Sequence, residues 1–462
     1  MPPPPRPPLF DRTATTQLHF PLALTLALLS SGCTDTCTGP TCESTWETTL
    51  LVGHVPNRWS ESPNPLTDAT SSIRGVASQG VGWQVSAHNR RTLLGQPDAQ
   101  RVVAIDPPFG DQTLADLAQG LVFSSLDVSF GTTVNQTDEW VVISAPEAML
   151  STGTVSVYRD LPATGVVTEE AALRLTGATP GDRTGADVEV CSDNDGDGLP
   201  ELLISAPTLT DTQPLQGGAW WVPSTALTTL PNGSVPIASV GLLRTGDQAG
   251  ERLGTSILCD IDANDDGLTD VILGAPNAVV GGYIEWISGF TLRRGTTLIS
   301  GSTTGGDDSL WFGNQLRSLR TEDDVWLAVS VAGQNGGAGH VRLYDPAALF
   351  RTDSPLPNTT VSSLNPETRH FGRQLLTADL DGDGLDELIV GASDSTVDDD
   401  LAAGRLFIWN GQDWPSTLIG GADHLVEGTH AFERVGQWTS LADTDNNGTI
   451  ELYMSLRAAE IQ

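Results

Sequence analysis

The sequence predicts an all-β fold, a seven-bladed β-propeller of four-stranded antiparallel blades, in which the N- and C-terminal segments close the last blade together. Three observations lead there. A glycine, usually preceded by a bulky residue, recurs seven times; a β-branched run ending in small residues follows it; and four of the units carry the same acidic, glycine-centred turn. Length alone would allow three domains in 462 residues, but an internal repeat takes precedence over division by length.

The markers are Val81-Gly82, Phe130-Gly131, Thr184-Gly185, Leu253-Gly254, Phe312-Gly313, Phe371-Gly372 and Val435-Gly436, at intervals of 49 to 69 residues. Each opens a unit. The β-branched run follows as "VVISAP", "LLISAP", "VILGAP", "LAVSVAG" or "LIVGAS". Short runs of this kind bounded by Gly, Pro and Ser read as strands. A further strand starts at a glycine with an aromatic five residues on, as in Gly153 to Tyr158, Gly281 to Trp286, Gly339 to Tyr344 and Gly404 to Trp409; "GGAWWVP" departs from that spacing. A last apolar segment ("AALRLTG", "VGLLRTG", "TTLISG") leads to the next marker. Four short strands per unit is the composition of a propeller blade.

Four units place an acid-crowded turn before the β-branched strand. In "DLDGDGLDELIVGAS" the acids Asp379, Asp381 and Asp383 fall at positions 1, 3 and 5, Gly384 is at 6, the Leu385 carbonyl is at 7 and Glu387 is at 9. Calcium takes six to eight oxygens, and alternating carboxylates around a turning glycine supply them. The same register holds Asp193, Asp195, Asp197, Leu199 and Glu201; Asp262, Asn264, Asp266, Leu268 and Asp270; and Asp443, Asp445, Asn447, Thr449 and Glu451. Position 12, where an EF-hand needs its bidentate glutamate, is apolar in all four (Ile204, Leu273, Val390, Met454). The turns therefore read as calcium loops between strands, with up to four structural ions. A single such turn would pass for a solvated loop; four in one register would not.

With Phe-Gly, the acidic loop and Gly-Ala-Pro in this order, residues 46 to 462 resemble the FG-GAP repeats of the integrin α-subunit N-terminal propeller. The resemblance implies calcium between the first and second strands of a blade and ligand contacts on the opposite face. That opposite face would carry the loops "PEAMLSTG", "PTLTDTQPLQGG" and "SDSTVDDDLAAG", with Trp311 and Phe371 near it as candidate contacts, although as marker-position residues both read first as blade packing. The first, second and fifth units lack the acids and are assigned no metal. The seventh unit ends soon after Glu451, without its third and fourth strands, and "TTLLVGHV" and "SSIRGVA" before the first marker supply them. Joining the ends inside one blade removes exposed sheet edges.

Residues 1–32 read as an export signal: two arginines, then "FPLALTLALLSSGC", an apolar run too short to span a bilayer. Cys33 after Ser-Ser-Gly resembles a bacterial lipoprotein cleavage and lipidation site, with plain secretion the alternative, so the expected address is the outer membrane, cell surface or periplasm. Residues 33–45 form a polar tether in which Cys37 and Cys42 could close a small disulfide loop, as an oxidising compartment permits. Cys191 and Cys259 read as buried small side chains rather than a bridge.

A net charge of −35 argues against nucleic acid and anionic lipid as partners. The sequence carries no GxSxG, no HExxH and no phosphate-cradling glycine loop. Asp398, Asp399 and Asp400 read as a solvated run. The expectation is a non-enzymatic, monomeric, calcium-stabilised propeller that binds a protein or glycan. The alternative is a polysaccharide-acting enzyme, which would need charged groups converging at one end of the channel.

Overall fold

The structure, a computed structural model, describes residues 47–53, 71–76, 84–88, 91–105, 112–113, 120–193, 197–264, 266–279, 281–288, 293–300, 311–322, 324–333, 337–347, 357–411, 418–419, 421–443 and 450–457. The export signal, the tether, the marker Val81-Gly82 and the cysteines Cys33, Cys37 and Cys42 lie outside them. Ser44–Gln462 form one compact unit. No helix among the described residues is long and apolar enough to cross a membrane.

The chain opens with β1 (Glu47–Gly53) and β2 (Ser71–Val76). The first blade holds β3 (Val85–His88), β4 (Arg91–Gln96), β5 (Arg101–Ile105) and, beyond β6 (Gln112–Thr113), β7 (Leu121–Ser124). The second has β8 (Val134–Gln136), β9 (Val141–Ala145), β10 (Thr154–Tyr158) and, past β11 (Gly165–Thr168), β12 (Leu173–Thr176). In the third, β13 (Val188–Val190), β14 (Leu202–Ser205) and β15 (Gly218–Val222) precede β16 (Gly233–Pro236) and β17 (Leu242–Thr245). The fourth is β18 (Ser256–Ile261), β19 (Asp270–Ala275), β20 (Tyr283–Ser288) and β21 (Arg293–Ser300). Next come β22 (Phe312–Arg320), β23 (Val325–Val331), β24 (His340–Tyr344) and β25 (Thr359–Ser362). The sixth contains β26 (Gln374–Ala378), β27 (Glu387–Ala392), β28 (Arg405–Trp409), β29 (Leu418–Ile419) and β30 (His424–Glu427), and the chain ends on β31 (Trp438–Ala442) and β32 (Glu451–Arg457).

The two ends of the chain share a sheet. β32 pairs antiparallel with β1 (Leu51 opposite Met454), and β1 pairs antiparallel with β2 (Leu50 opposite Ile73), giving the order β31-β32-β1-β2. The described residues thus make seven sheets. Their innermost strands are neighbours in succession: β31 beside β3, then β8, β13, β18, β22 and β26, which returns to β31. This is a β-propeller.

The marker glycine locks one blade to the next. Gly436 has a positive φ of 78°, and its carbonyl would lie 2.0 Å from a Cβ on Gly391, the glycine of the "VGAS" turn one blade earlier. A side chain at either position would push the blades apart. The bulky residue beside the marker fills the gap between blades: Phe371 is fully buried, edge-on to Phe407 and Trp409. Of the two sequence readings of Phe371, a contact near the ligand face or, as a marker residue, blade packing, burial selects the packing.

Four strands per blade is incomplete. β6, β11, β16 and β29 each leave the connection between the third and fourth strands of one blade and pair parallel with the outer strand of the preceding blade (β2, β7, β12 and β25). These connections span residues 106–120, 159–172, 223–241 and 410–423, long enough to reach across. Their short, partly polar sequences look like loops.

The expectation of unbridged cysteines is overturned: Cys191 and Cys259 form a disulfide, Cα atoms 5.3 Å apart. Cys191 directly follows the first strand of its blade, two residues before Asp193, and Cys259 stands three before Asp262. A bulge in β18 between Leu258 and Ile261 absorbs the extra residue and lets the two face each other across neighbouring inner strands.

Candidate metal centre

In the sixth blade the acidic turn joins β26 to β27. Asp379 Oδ1 accepts the Gly382 and Asp383 N–H groups (2.7 and 3.1 Å) and Oδ2 accepts that of Gly384 (2.9 Å). Asp383 Oδ1 accepts from the Leu385 N–H at 2.9 Å. Glu387, fully buried at the start of β27, takes the Leu380 N–H on Oε2 at 2.7 Å, while its Oε1 is buried without a hydrogen-bond partner. Ligand atoms of Asp379, Asp381 and Glu387 lie within 4.8 Å of one another. A buried carboxylate oxygen left unbonded beside two other carboxylates is costly unless a cation sits among them.

The same register recurs. Asp193 accepts from the Asp197 and Gly198 N–H groups (3.0 and 2.8 Å), Asp197 from the Leu199 N–H (2.9 Å), and oxygens of Asp193, Asp197 and Glu201 also converge within 4.8 Å. Asp195 lies outside the described residues. In the fourth blade Asp262 accepts from Asp266 and Gly267, Asp266 from Leu268, and buried Asp270 from the Ala263 N–H at 2.9 Å. There the Asn264 amide donates to Asp270 Oδ1 (3.3 Å), and the three carboxylates do not converge as closely. Of the last loop, Asp443 and the buried Glu451 are described; Asp445, Asn447 and Thr449 fall outside.

Burial, reinforced by Asp381 and Asp383, pushes the Glu387 carboxyl up to about 8, and burial with the same kind of crowding raises Asp381. Without an ion the loop thus holds a proton that the unfolded chain would release near the ordinary value of 4.5. Between those two values the folded form binds more protons, so its stability falls as pH rises. Metal-free protein prepared on a chelating resin should therefore melt progressively lower from pH 5 to pH 8, and Glu387→Gln should flatten that slope. Parallel slopes for the two proteins would show that Glu387 does not titrate in this range.

A second group of charges, which sequence reasoning missed, lies on the inner strands. Asp187, Glu189 and Asp260 gather around Arg317, with Ser318 Oγ donating to Asp260 Oδ2 at 2.6 Å. Burial, then Asp187 and Asp260, raise Glu189 to about 8 against the pull of Arg317. These residues belong to three different blades, so no local motif announces them.

Residues 371–409, from the marker through the sixth acidic loop to the end of β28, match the family described as FG-GAP repeat. The sixth blade of the propeller thus carries an FG-GAP repeat. Among solved structures the chain is similar to one titled "Structure of Dos1 propeller", at 10% identity and a TM-score of 0.47, over 82% of this chain and 78% of that one. In this propeller the acidic turns of the third and sixth blades, between first and second strands, bring together carboxylates that could hold a metal.

Proposed function

We propose that the protein is a non-enzymatic, calcium-stabilised binding propeller, exported to the cell envelope, that holds a protein or glycan on the face opposite its acidic loops. The carrying observation is the distribution of exposed apolar side chains. Leu126, Leu150, Val279, Leu364, Leu401 and Phe432 are 58 to 88% exposed and lie in loops between second and third strands or in connections between blades; Val166 on β11, at 67%, is the one residue in that range elsewhere among the described residues. Among the described residues no exposed large hydrophobic lies in a first-to-second-strand loop. Exposed apolar groups gathered on one face mark an interaction surface. That face is also braced: the Phe432 and Arg434 N–H groups donate to Leu401 and Ala402 carbonyls of the preceding blade, and the Arg252 N–H does the same to Leu215. Loops held this way present contacts at low entropic cost. Calcium is the metal that fits an all-oxygen donor set in this register. The Cys191–Cys259 bridge favours an oxidising compartment, consistent with the export signal.

A photo-crosslinker at Leu150, Leu401 or Phe432 should capture one and the same component of the native envelope, and a crosslinker at Gly198 or Gly384 should not. Equal capture from both faces would overturn the reading. The Asp187–Glu189–Asp260–Arg317 cluster favours one alternative, an enzyme acting on polysaccharide. Turnover of acidic or neutral polysaccharide that Glu189→Gln abolishes would establish it in place of the binding module.

A further inference from the structure

The outer strand of the third blade, β17, is an incomplete edge. In four other sheets the outer strand is covered by a parallel segment lent from the next blade; β17 has no such neighbour among the described residues. The reason is the length of the lending connection. Only residues 289–292 join β20 to β21, against 159–172 or 223–241 where a strand is lent. A hairpin that short must return at once and cannot lay a strand on its neighbour. The consequence shows in the side chains. β12 occupies the same place in its blade (Val157 opposite Leu173, as Trp221 is opposite Leu242), and there Leu173 and Leu175 are fully buried, with β16 alongside. On β17, Leu242, which matches Leu173, is 51% exposed, and Leu243, which matches the half-buried Arg174, is 38% exposed.

We propose that β17 is a docking edge for an extended segment of a partner protein, which adds in parallel as a fifth strand. The molecule's own lent strands define the occupant: two to four residues, extended, as in "GVVT" or "GSVP", running in the same direction as the strand they cover. Main-chain hydrogen bonds supply the affinity of such strand addition, and side-chain pockets its selectivity. Two features disfavour a second copy of this chain. Two β17 edges related by a two-fold axis would meet antiparallel, against the internal precedent. A net charge of −35 also repels a second copy and attracts a segment flanked by basic residues. This edge lies on the rim, apart from the face described above, so the two proposals stand or fall separately.

The test uses a fluorescent peptide carrying the Gly165–Thr168 sequence between arginines, titrated into the calcium-loaded protein and followed by anisotropy. Saturable binding is expected, weakened at least tenfold by Leu242→Asp/Leu243→Asp and by replacing residues 289–292 with residues 159–172. A scrambled peptide should bind no better to the wild type than to those variants. Circular dichroism and the melting temperature must match wild type for each variant used. No binding at millimolar peptide, or equal binding to wild type and the folded Leu242→Asp/Leu243→Asp protein, overturns the proposal. A wild-type dimer in sedimentation that the same variant dissociates would also overturn it and identify the occupant as a second copy.

Discussion

Stripping calcium from the protein is expected to lower its melting temperature by about 4 to 8 °C. Extracellular calcium modules bind with dissociation constants of about 0.1 to 1 mM, so about 2 mM calcium stabilises each filled loop by roughly 0.6 to 1.8 kcal/mol through mass action. Four loops then contribute about 3 to 7 kcal/mol, a large part of a domain's whole stability. Unfolding entropy scales with chain length, which converts that figure into the temperature shift given. The sixth loop localises the effect. Asp381→Ala removes one of the carboxylates grouped with buried Glu387, so one bound ion should disappear from native mass spectra and the melting temperature in calcium should fall. In chelator the same variant should melt close to wild type, because deleting a carboxylate there also removes repulsion from Asp379 and Asp383. Equal melting with and without chelator, with no bound calcium detected, would reduce the four loops to acidic turns.

What the sequence made legible follows from how local each interaction is. The acidic turns were readable because the hydrogen bonds that shape them are local, Asp379 to Gly384, Asp383 to Leu385 and Glu387 to Leu380, while longer ones such as Ser224 to Asp197 only tie the finished turn to its blade. The markers were readable because the packing they serve, Gly436 against Gly391 for instance, repeats once per blade. The joint closure by β1, β2, β31 and β32 could be anticipated because one end lacked the strands that the other had in excess. The lent strands were hidden, since a two-residue segment such as Leu418–Ile419 acquires its strand character only from the neighbour it pairs with. The Glu189 cluster was hidden for the same reason: Asp260 and Arg317 approach it from other blades.

The Cys191–Cys259 bridge is expected to give the second large effect. It closes a loop of 68 residues between neighbouring blades, and limiting the unfolded chain to that extent is worth about 4 kcal/mol in the loop-entropy picture. Both sulfurs sit in a buried cluster with Leu203, Trp221, Ile257 and Leu273, so alanine is the suitable replacement; serine would add an unpaired hydroxyl to an apolar site. Cys191→Ala/Cys259→Ala should lower the melting temperature by about 5 °C, and reductant should bring the wild type down to the variant without moving the variant further. The bridge also anchors the strands that enter two of the acidic loops, two residues before Asp193 and three before Asp262. Freed of it, those entries gain conformational entropy that cation binding must then remove, so calcium affinity should fall in the third and fourth blades and hold in the sixth. Calorimetric titration of the double variant should resolve two weakened sites and leave the others as in wild type. Unchanged affinity at all sites would show that the bridge stabilises the ring without organising its loops. An unchanged melting temperature in reductant would show that the two blades do not need it.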